Sequence, residues 1–509
     1  MAICLAMITR RVILSLAIGV ATGAVLLRAG GLFATLKVLC YDLLWLNLID
    51  TAHLQVFAFT ALMGAMVAVM HASGGMQTIV LHMLRWAHNR RRGQLVAWLI
   101  GLLVFFDDYA NTLLLGTTLR PLIDRLNISR EKLAYIVDST AAPVAGLAIV
   151  STWVATEIQY IDEGLATAGA QTAGAGVQVF LATIPYRFYP LFALALVAII
   201  GWSGRDFGPM LDAERDAQRR RPGQEKDDEV DASATEAPGP RSAAWLCAVL
   251  PIGVVVFGTI GMIASTGRTA MAGQGTFAEW ITHGDSYIAL VVSSLCGCLL
   301  AVLLAFALRA AGTRDILGAL RGGVLQMAPA LAILWLAWTM ADLTSADRLG
   351  TGKYAAEALR GNVSLWLLPT LTFLTAAAVA FCTGTSWGTM AILTPMVVEV
   401  SWNMLAGAER ASLEDPIFLG AIGSVLAGAI MGDHCSPLSD TTILSSRASG
   451  CNHMQHVWTQ MPYAICVGVV SILCGTLPIG WGMSLGLLLP AGFLALVGIV
   501  YLCGRLPAA

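Results

Sequence analysis

An all-helical polytopic membrane protein is the fold class that the sequence predicts, from its composition, its hydropathy and the polar residues within its apolar stretches. Of the 509 residues, 57% are hydrophobic and only 12% are charged, and the mean hydropathy is +0.73. Soluble proteins carry about 25% charged residues, so this composition is typical of a protein embedded in a bilayer. The net charge of -2 and the absence of a basic stripe in the sequence give no indication of a nucleic-acid partner.

Apolar stretches of about 20 residues, the length that an α-helix needs to cross a bilayer, occur throughout the chain. They lie near residues 12–28, 54–71, 94–106, 133–153, 187–203, 243–263, 286–308, 322–341, 363–381, 417–431, 459–481 and 484–503, with shorter pieces at 111–119 and 385–398. We therefore expect 11 to 14 transmembrane segments, some of them broken or re-entrant.

Two arginine-rich loops indicate which parts of the first half lie on the cytoplasmic side of the membrane. They span residues 85–92 and 120–132, and positive residues accumulate on the cytoplasmic side. If both loops are cytoplasmic, residues 94–119 enter the membrane and return as a re-entrant hairpin. A broken helix that crosses completely is the competing geometry.

The composition changes abruptly between residues 204 and 241. This segment holds 17 of the 62 charged residues (30 Lys and Arg plus 32 Asp and Glu) and ends in Ala-Pro-Gly-Pro. Because it offers little apolar area to bury, we interpret it as a charged, flexible cytoplasmic linker. It divides the chain into a first membrane half, 1–203, and a second membrane half, 242–509.

Each half contains an apolar span that polar residues interrupt, then a loop, then a second interrupted span. The interruptions lie near 107–112 and 138–143 in the first half, and near 384–389 and 433–442 in the second. Polar backbone at such a depth is tolerated only where protein or a water-filled cavity surrounds it. Paired interruptions in two halves are typical of a secondary transporter's binding site. We expect two inverted-repeat halves, with the four helix breaks converging near the middle of the bilayer.

The residues of these breaks resemble a known family. The string Gly-Asp-His-Cys-Ser-Pro-Leu-Ser-Asp-Thr-Thr-Ile-Leu-Ser-Ser at 432–446 closely resembles the signature of the NhaC-type sodium/proton antiporter family, within the ion transporter superfamily. The segments 105–112, 137–143 and 384–389 also resemble it, and the resemblance covers about residues 55–480. It implies exchange of cytoplasmic sodium, or lithium, for external protons across the cell inner membrane. Members of this family also resemble malate/lactate antiporters, so an organic-acid or amino-acid exchanger coupled to H⁺ or Na⁺ is the alternative.

The residue types can be matched to this chemistry. Cation/proton exchange needs a carboxylate that binds either partner, and burial or a neighbouring carboxylate adjusts its proton affinity. Hydroxyl, amide and backbone oxygens complete a site for a hard cation. No lysine or arginine lies inside the breaks, which favours a cation over an anion. The predicted transport and ion-binding residues are Asp107, Asp108, Asn111, Thr112, Asp138, Ser139, Thr140, Thr385, Ser386, Asp433, His434, Ser436, Ser439, Asp440, Thr441 and Thr442.

Within this set, some residues are stronger candidates than others. The candidate Na⁺ ligands are Asp108, Asn111, Asp433, Ser436 and Thr441. Asp433 and Asp108 lead as the exchanged carboxylate, because each has polar neighbours that can share a cation.

Several of these residues also have a structural interpretation. Asp107 and Asp108 could lie in water at a loop end, and Asp138 or Asp433 could organise the hydrogen bonds of a helix break. His434 could be a structural partner. The choice between these interpretations and an ion-binding role depends on which groups surround each side chain.

Two other classes of protein fit the sequence less well. A membrane enzyme could use His434 and Cys435 as a nucleophile pair, but neighbours at i and i+1 point in different directions on a helix. A channel would conduct without proton coupling. We expect no enzymatic activity and no cofactor. The expected partners are Na⁺, H⁺ and membrane lipids, and a homodimer is compatible with the sequence.

Overall fold

The computed structural model describes residues 11–27, 31–83, 86–170, 175–219, 244–274, 284–344, 348–350 and 363–507, with the single positions 5, 9, 276, 280 and 354. Within these ranges the elements are helical, and pairing of the β type is confined to one isolated bridge, between Asp206 and Arg505. The predicted all-helical class is confirmed.

Twelve helices precede residue 220 in the described chain. They are α1 (Val12–Leu26), α2 (Leu32–Lys37), α3 (Leu46–Ile49), α4 (Thr51–Ala72), α5 (Gly75–Met83), α6 (Arg90–Leu103), α7 (Asp108–Arg125), α8 (Arg130–Ala145), α9 (Val154–Thr167), α10 (Gly176–Thr183), α11 (Phe188–Ser203) and α12 (Pro209–Arg219). A π-helical segment, Val38–Trp45, joins α2 to α3, and a 3-10 turn, Ile184–Tyr186, follows α10.

Ten helices follow residue 243. They are α13 (Leu246–Ala270), α14 (Ser286–Ala307), α15 (Thr313–Thr344), α16 (Leu368–Thr383), α17 (Ser386–Ala406), α18 (Pro416–Cys435), α19 (Asp440–Ser449), α20 (His453–Ser471), α21 (Leu477–Gly480) and α22 (Leu485–Cys503). A π-helical segment, Ile472–Thr476, joins α20 to α21, so that the two form one long helix.

Nine helices of the described chain are long and apolar enough to cross a membrane. These are α4, α13, α14, α15, α16, α17, α18, the joined α20 and α21, and α22. A tenth candidate consists of α10 and α11, which bend by 44° where they meet. The number lies below the predicted 11 to 14 because the helices beside the breaks are short: α6 and α9 have 14 residues each, and α8 has 16.

Three helix breaks lie where the polar runs predict them. α6 and α7 are separated at residues 104–107, α16 and α17 at residues 384–385, and α18 and α19 at residues 436–439. In each case the polar run supplies the N-cap of the next helix, whose side chain accepts a backbone N–H: Asp107, Thr385 and Ser439. The polar residues therefore end one helix and begin another.

The predicted break at 138–143 is wrong. Residues 138–143 belong to α8, which continues to Ala145, and the chain is irregular only from 146 to 153. Thr140 returns its hydroxyl proton to the carbonyl of Ile136 one turn earlier, at 2.8 Å. Pro143 lies in the last turn, where its missing N–H removes only one helical hydrogen bond. Polar residues and a proline therefore did not suffice to end this helix.

Both halves have the same order of elements: a pair of helices separated by a break, then a loop, then a second such pair. In the first half it runs from α6 to α9, and in the second from α16 to α19. α16 and α18 pack closely through glycines, since a Cβ added at Gly428 or Gly432 would lie 2.3 or 2.4 Å from a carbonyl oxygen of α16. That the two halves are inverted repeats stays a prediction.

The first part of the predicted linker is folded. α12 places Glu214 in the interior, where it pairs with Arg90. Asp206 is buried beside Lys132 and pairs with it. Composition alone does not predict this, because two buried ion pairs hold the segment together with a few buried apolar side chains: Met210, Leu211 and Ala217. Residues 220–241 lie outside the described residues, and the boundaries of the two halves stay a prediction.

Candidate functional site

The two helix breaks of the second half interlock. Gly384 has a positive φ of 70°, and a Cβ there would lie 2.4 Å from the carbonyl oxygen of Leu438, so this contact requires glycine. Asp440 donates its N–H to the Gly384 carbonyl at 3.3 Å, and the Ser436 hydroxyl donates to the Phe381 carbonyl at 2.7 Å. These hydrogen bonds satisfy backbone groups that each helix end leaves without a partner.

Asp433 lies at this junction. Its Oδ2 accepts the backbone N–H of Ser386 at 2.8 Å, so the carboxylate of α18 caps the first turn of α17. Its Oδ1 has no hydrogen-bond partner among the described residues. One oxygen of Asp433 thus serves the structural role, as a hydrogen-bond acceptor within the helix break. The other oxygen is buried and free to bind an ion.

The two breaks of the first half are joined in a similar way. Asp107 accepts the N–H of Ala110 at 2.7 Å with one carboxylate oxygen and the Thr152 hydroxyl at 3.1 Å with the other. Thr152 also donates its N–H to the carbonyl of Phe106 at 2.9 Å. Asp107 is therefore used on both oxygens by the protein itself.

Asn111 connects α6, α7 and α8. Its amide nitrogen lies 2.8, 3.1 and 3.1 Å from the carbonyl oxygens of Gly101, Val104 and Thr140. Its Oδ1, which is also buried, has no partner among the described residues. The neighbouring Thr112 donates its hydroxyl proton to the carbonyl of Asp108 within its own helix, at 2.8 Å.

Asp108 differs from the other acids of the first half. It is 1% exposed, and no hydrogen bond of normal length and angle reaches either carboxylate oxygen from the described residues. Asp107 is its charged neighbour, and the Trp153 indole N–H, also without a partner of normal geometry, is close enough to act as a weak donor. Trp153 packs edge-on against Trp387 of the second half, with ring centroids 5.5 Å apart. A buried carboxylate with only weak donors around it needs a cation or a proton to offset its charge.

A cavity of about 400 Å³ lies beside Asp108. It is lined by Asp107, Asp108, Tyr109, Leu113, Gln326, Met327, Pro329, Ile333, Thr385, Trp387, Asp440, Ile443, Leu444 and Arg447. The first turns of α7, α17 and α19 all contribute to this lining, so three helix N-termini meet at one cavity. Each N-terminus carries a partial positive charge.

Asp138 lies away from this cavity and joins the two halves. Its Oδ2 accepts the Thr442 hydroxyl at 2.9 Å and the Gln460 side-chain amide at 2.6 Å. Gln460 in turn contacts His456 Nε2 through its Oε1 at 2.9 Å. Gln460 and His456 were not among the residues predicted from the sequence. The signal that marks them is a pair of polar residues spaced i, i+4, one just before the apolar stretch 459–481 and one at its start.

His434 points toward a different part of the interior. Its Nδ1 lies 2.9 Å from the Tyr189 hydroxyl, and its Nε2 has no hydrogen-bond partner among the described residues. Both residues line a cavity of about 10 Å³, the space of one water molecule, together with Ser139 and Tyr463. Tyr189 has no neighbouring polar motif that could have identified it in the sequence.

The remaining predicted hydroxyls serve mainly as helix caps. Ser439 caps α19, and its hydroxyl lies 3.1 Å from that of Thr441. Thr385 caps α17 through the N–H of Gly388 at 3.4 Å and also borders the cavity. The structure thus gathers Asp107, Asp108, Thr385 and Asp440 at the cavity. Asp138, Ser139, Asp433, His434 and Thr442 are buried elsewhere in the described core.

Two cations that the sequence analysis did not assign lie near the breaks. Arg447 borders the cavity. Arg187, at the bend between α10 and α11, pairs with Glu157 at 2.8 Å and donates to the carbonyl of Gly146, where α8 ends. No arginine lies inside a break, but the fold brings these two close to the breaks from other helices.

Comparison with known proteins places the chain among transporters. A model of the family described as "Na+/H+ antiporter family" matches residues 144–481. An uncharacterized protein of Haemophilus influenzae is 33% identical over 505 residues, which cover 97% of this chain and 91% of that protein. A "Malate-2H(+)/Na(+)-lactate antiporter" of Bacillus subtilis is 36% identical over 113 residues, 22% of each chain.

A solved structure supports the fold. The YdaH transporter of Alcanivorax borkumensis matches with a TM-score of 0.63 over 89% of this chain and 90% of that chain, at 16% identity. The helical transporter fold is therefore shared where little sequence identity remains. Together with the match over residues 144–481, the broken helices and the nine apolar helices of the described chain identify a multi-pass secondary transporter. The chain belongs to the Na⁺/H⁺ antiporter family.

Proposed function

We propose that the protein is a sodium/proton antiporter that exchanges Na⁺ or Li⁺ for H⁺ by alternating access, with Asp108 as the carboxylate that binds the cation. The observation that carries this proposal is the environment of Asp108: a buried carboxylate that accepts no hydrogen bond of normal geometry from the described residues, at the wall of a cavity. A bound cation or a bound proton offsets its charge, and each excludes the other.

The other acids are less suited to bind the ion first. Asp107 is occupied on both oxygens, and Asp433 on one. Asn111 follows Asp108 by three residues on α7, the spacing that places two side chains on one helix face. Its free Oδ1 is a neutral oxygen of the kind that Na⁺ prefers. We therefore propose Asp108 and Asn111 as the first ligands, with Asp440 at the mouth of the same cavity.

Proteoliposomes that report internal pH test this proposal. An imposed Na⁺ gradient should drive a pH change with the wild-type protein. Asp108→Asn keeps the size of the side chain and removes its charge, so it should abolish the response. Asp124→Asn, at the other end of α7 in an exposed pair with Arg130, is the matched control and should behave like the wild type. Full exchange by Asp108→Asn would show that another carboxylate carries the ion.

The size of the cavity favours a second candidate, an organic-acid or amino-acid exchanger coupled to H⁺ or Na⁺. About 400 Å³ lies within the range of small-molecule sites and far exceeds the volume of one Na⁺ ion. Arg447 and the three helix N-termini could hold a carboxylate group, while Asp108 and Asp440 hold a cation. The similarity to a malate/lactate antiporter over 113 residues supports the same candidate.

Arg447 distinguishes the two candidates. If the cargo is an organic carboxylate, Arg447→Gln should reduce uptake of labelled carboxylic acids by at least an order of magnitude. If the cargo is Na⁺ alone, the same substitution should leave Na⁺-driven proton movement nearly unchanged. Arg314→Gln, an exposed arginine at the start of α15, is the matched control for the loss of one positive charge. A panel of carboxylic and amino acids should be compared with Na⁺ and Li⁺ in the same vesicles.

We also propose the cell inner membrane as the location, with residues 204–241 on the cytoplasmic side. α12 pairs through Glu214 with Arg90, which belongs to the arginine-rich segment 85–92. By the positive-inside rule this end of the molecule faces the cytoplasm. Accessibility of single cysteines introduced into 220–241 to a membrane-impermeant thiol reagent, in intact cells and in inverted vesicles, tests the orientation.

A further inference from the structure

The ends of α11 and α22 are tied together at one edge of the molecule. Asp206 and Arg505, just beyond these helices, exchange two backbone hydrogen bonds of 2.9 and 2.8 Å. Arg205 donates to the carbonyls of Tyr501 and Gly504 at 3.2 and 3.0 Å. Its guanidinium therefore lies against the C-terminal end of α22, where a positive charge is favourable.

Positive charge accumulates at this edge. Arg91, in the first turn of α6, approaches the end of α11, since a Cβ added at Gly204 would lie 3.0 Å from its Nε. Arg91 and Arg505 are both exposed. The structure gives neither an ion pair among the described residues. Together with Arg205 they place three guanidinium groups at one edge, at the end of α11, the end of α22 and the start of α6.

Two of the acids that follow Arg205 in the chain, Asp206 and Glu214, do not neutralise this charge, and the exposed Asp212 pairs with Arg215 of its own helix. Asp206 is 1% exposed and is bound by Lys132 and by the Tyr463 hydroxyl. Glu214 is fully buried and is bound by Arg90. Both carboxylates are thus used inside the protein, and no ion pair of the described residues occupies Arg91 or Arg505.

The same edge exposes large apolar and aromatic side chains. Trp202 is 72% exposed, Tyr501 is 52% exposed and Leu502 is 88% exposed. Tryptophan and tyrosine collect where the hydrocarbon of a bilayer meets the headgroups. This pattern predicts that the arginines lie at headgroup level and the apolar side chains beside the acyl chains.

We propose that Arg91, Arg205 and Arg505 bind the headgroup of an anionic phospholipid, whose acyl chains pack on Trp202 and Leu502. Guanidinium groups form paired hydrogen bonds with phosphate oxygens, and arginines near a membrane surface are attracted by anionic lipids. A zwitterionic headgroup offers no net charge, so the site discriminates between the two lipid types. The site is independent of the transported ion.

The position of this site connects it to the transport core. Asp206, which pairs with Arg505 through the backbone, contacts Lys132 near the start of α8 and Tyr463 of α20. Asp138 and Gln460, which hydrogen-bond each other, lie further along the same two helices. A lipid that fixes residues 205–206 therefore stabilises α8 and α20, the two helices whose side chains form the hydrogen bond between the halves.

Lipid binding to the purified full-length protein tests the proposal. Native mass spectrometry and thermal unfolding should be measured with phosphatidylglycerol, phosphatidylcholine and inorganic phosphate as separate probes. We expect several-fold preferential retention of phosphatidylglycerol over phosphatidylcholine and a higher unfolding temperature with phosphatidylglycerol alone. Arg91→Gln/Arg505→Gln should remove the preference, since neither side chain makes an ion pair whose loss would unfold the protein.

Controls make the outcome decisive. Arg314→Gln/Arg321→Gln, which removes two exposed arginines of α15, should keep the preference. Arg91→Glu/Arg505→Glu should lose it and should gain nothing from phosphatidylglycerol in thermal stability. Equal retention of both lipids by the wild type, equal loss in the α15 control, or equal stabilisation by inorganic phosphate would each overturn the proposal.

Discussion

Thr442 of α19 donates its hydroxyl proton to Asp138 of α8 at 2.9 Å, across 304 residues of sequence. The same hydroxyl lies 3.2 Å from the carbonyl oxygen of Asp433, and Thr442 stands two residues after Asp440, which lines the cavity. One side chain in the first turn of α19 therefore connects α8 of the first half with the last turn of α18, two residues from the cavity wall at Asp440. A change in the cavity that moves the first turn of α19 also moves this hydrogen bond.

Removing this hydroxyl should weaken both stability and transport. Thr442→Val keeps the shape but leaves the buried Asp138 with one donor fewer, which destabilises the fold by about 1–3 kcal/mol. We expect a lower unfolding temperature and slower exchange. Thr442→Ser keeps the hydroxyl and should retain both properties, apart from a small packing loss. If Thr442→Val unfolds and transports like the wild type, the hydrogen bond has no role in either property.

Exchange should depend on pH through competition between protons and sodium for Asp108. Since the protonated carboxyl does not bind the cation, the apparent affinity for Na⁺ should fall as the pH falls, by up to about tenfold per pH unit for one competing proton. Na⁺ concentration series at several fixed pH values in proteoliposomes measure this. An apparent affinity that is the same at every pH would argue against a shared carboxylate and for separate binding of the two ions.

Gly384 should tolerate no larger residue. An alanine at this positive φ costs about 1–2 kcal/mol by itself, and its Cβ would also lie 2.4 Å from the Leu438 carbonyl oxygen. Gly384→Ala should therefore separate the two breaks of the second half and abolish transport together with much of the stability. Gly486→Ala, where an added Cβ meets nothing within 4 Å, is the control and should be neutral. If Gly384→Ala is stable and active, the close contact between Gly384 and Leu438 is not needed for folding or for transport.

The polar residues at 433–442 and 384–389 predicted the second-half helix breaks, because these segments both end the helices and supply the caps of the next ones. Their role as an ion site stays a prediction. Asp108 and Asn111 were predicted from an acid and an amide three residues apart, and the fold leaves oxygens of both without partners. The break after Asp138 was misplaced by several residues. A proline in the local sequence does not by itself end a helix, since Pro329 and Pro395 lie well inside α15 and α17.

Contacts between distant helices could not be predicted. Arg187 stands 41 residues from Gly146, whose carbonyl it binds, and Gln460 stands 322 residues from Asp138. A single sequence holds no information on which helices are neighbours. The folded part of the charged segment escaped prediction for the same reason, since the partners of its acids, Arg90 and Lys132, belong to distant helices.

Asp433 should prove less important than Asp108 for ion binding. Asp433→Asn retains a side-chain oxygen that can accept the N–H of Ser386, so the break should remain intact and exchange should persist with altered affinity. Asp433→Ala removes this cap and should destabilise the protein by about 1 kcal/mol. Transport assays and unfolding temperatures of both variants, beside Asp108→Asn, separate the two roles. Loss of exchange in a well-folded Asp433→Asn protein would make Asp433 the exchanged carboxylate instead.

The Arg187–Glu157 pair should be needed for the shape of the first-half break. Both side chains are buried, and Arg187 also contacts Thr183 and the ring of Phe180. Breaking a buried pair by removing one partner costs about 3–5 kcal/mol, because an uncompensated charge stays inside.

Arg187→Met and Glu157→Met should therefore each strongly lower the unfolding temperature and the amount of membrane-inserted protein. The double variant Arg187→Met/Glu157→Met leaves no unpaired charge and should recover much of the stability. It should not recover full exchange, because the carbonyl of Gly146 at the end of α8 then loses its donor. Exchange rates normalised to inserted protein test this separation. If the double variant is as stable and as active as the wild type, apolar side chains can replace the ion pair, and the hydrogen bond of Arg187 to Gly146 is not needed for exchange.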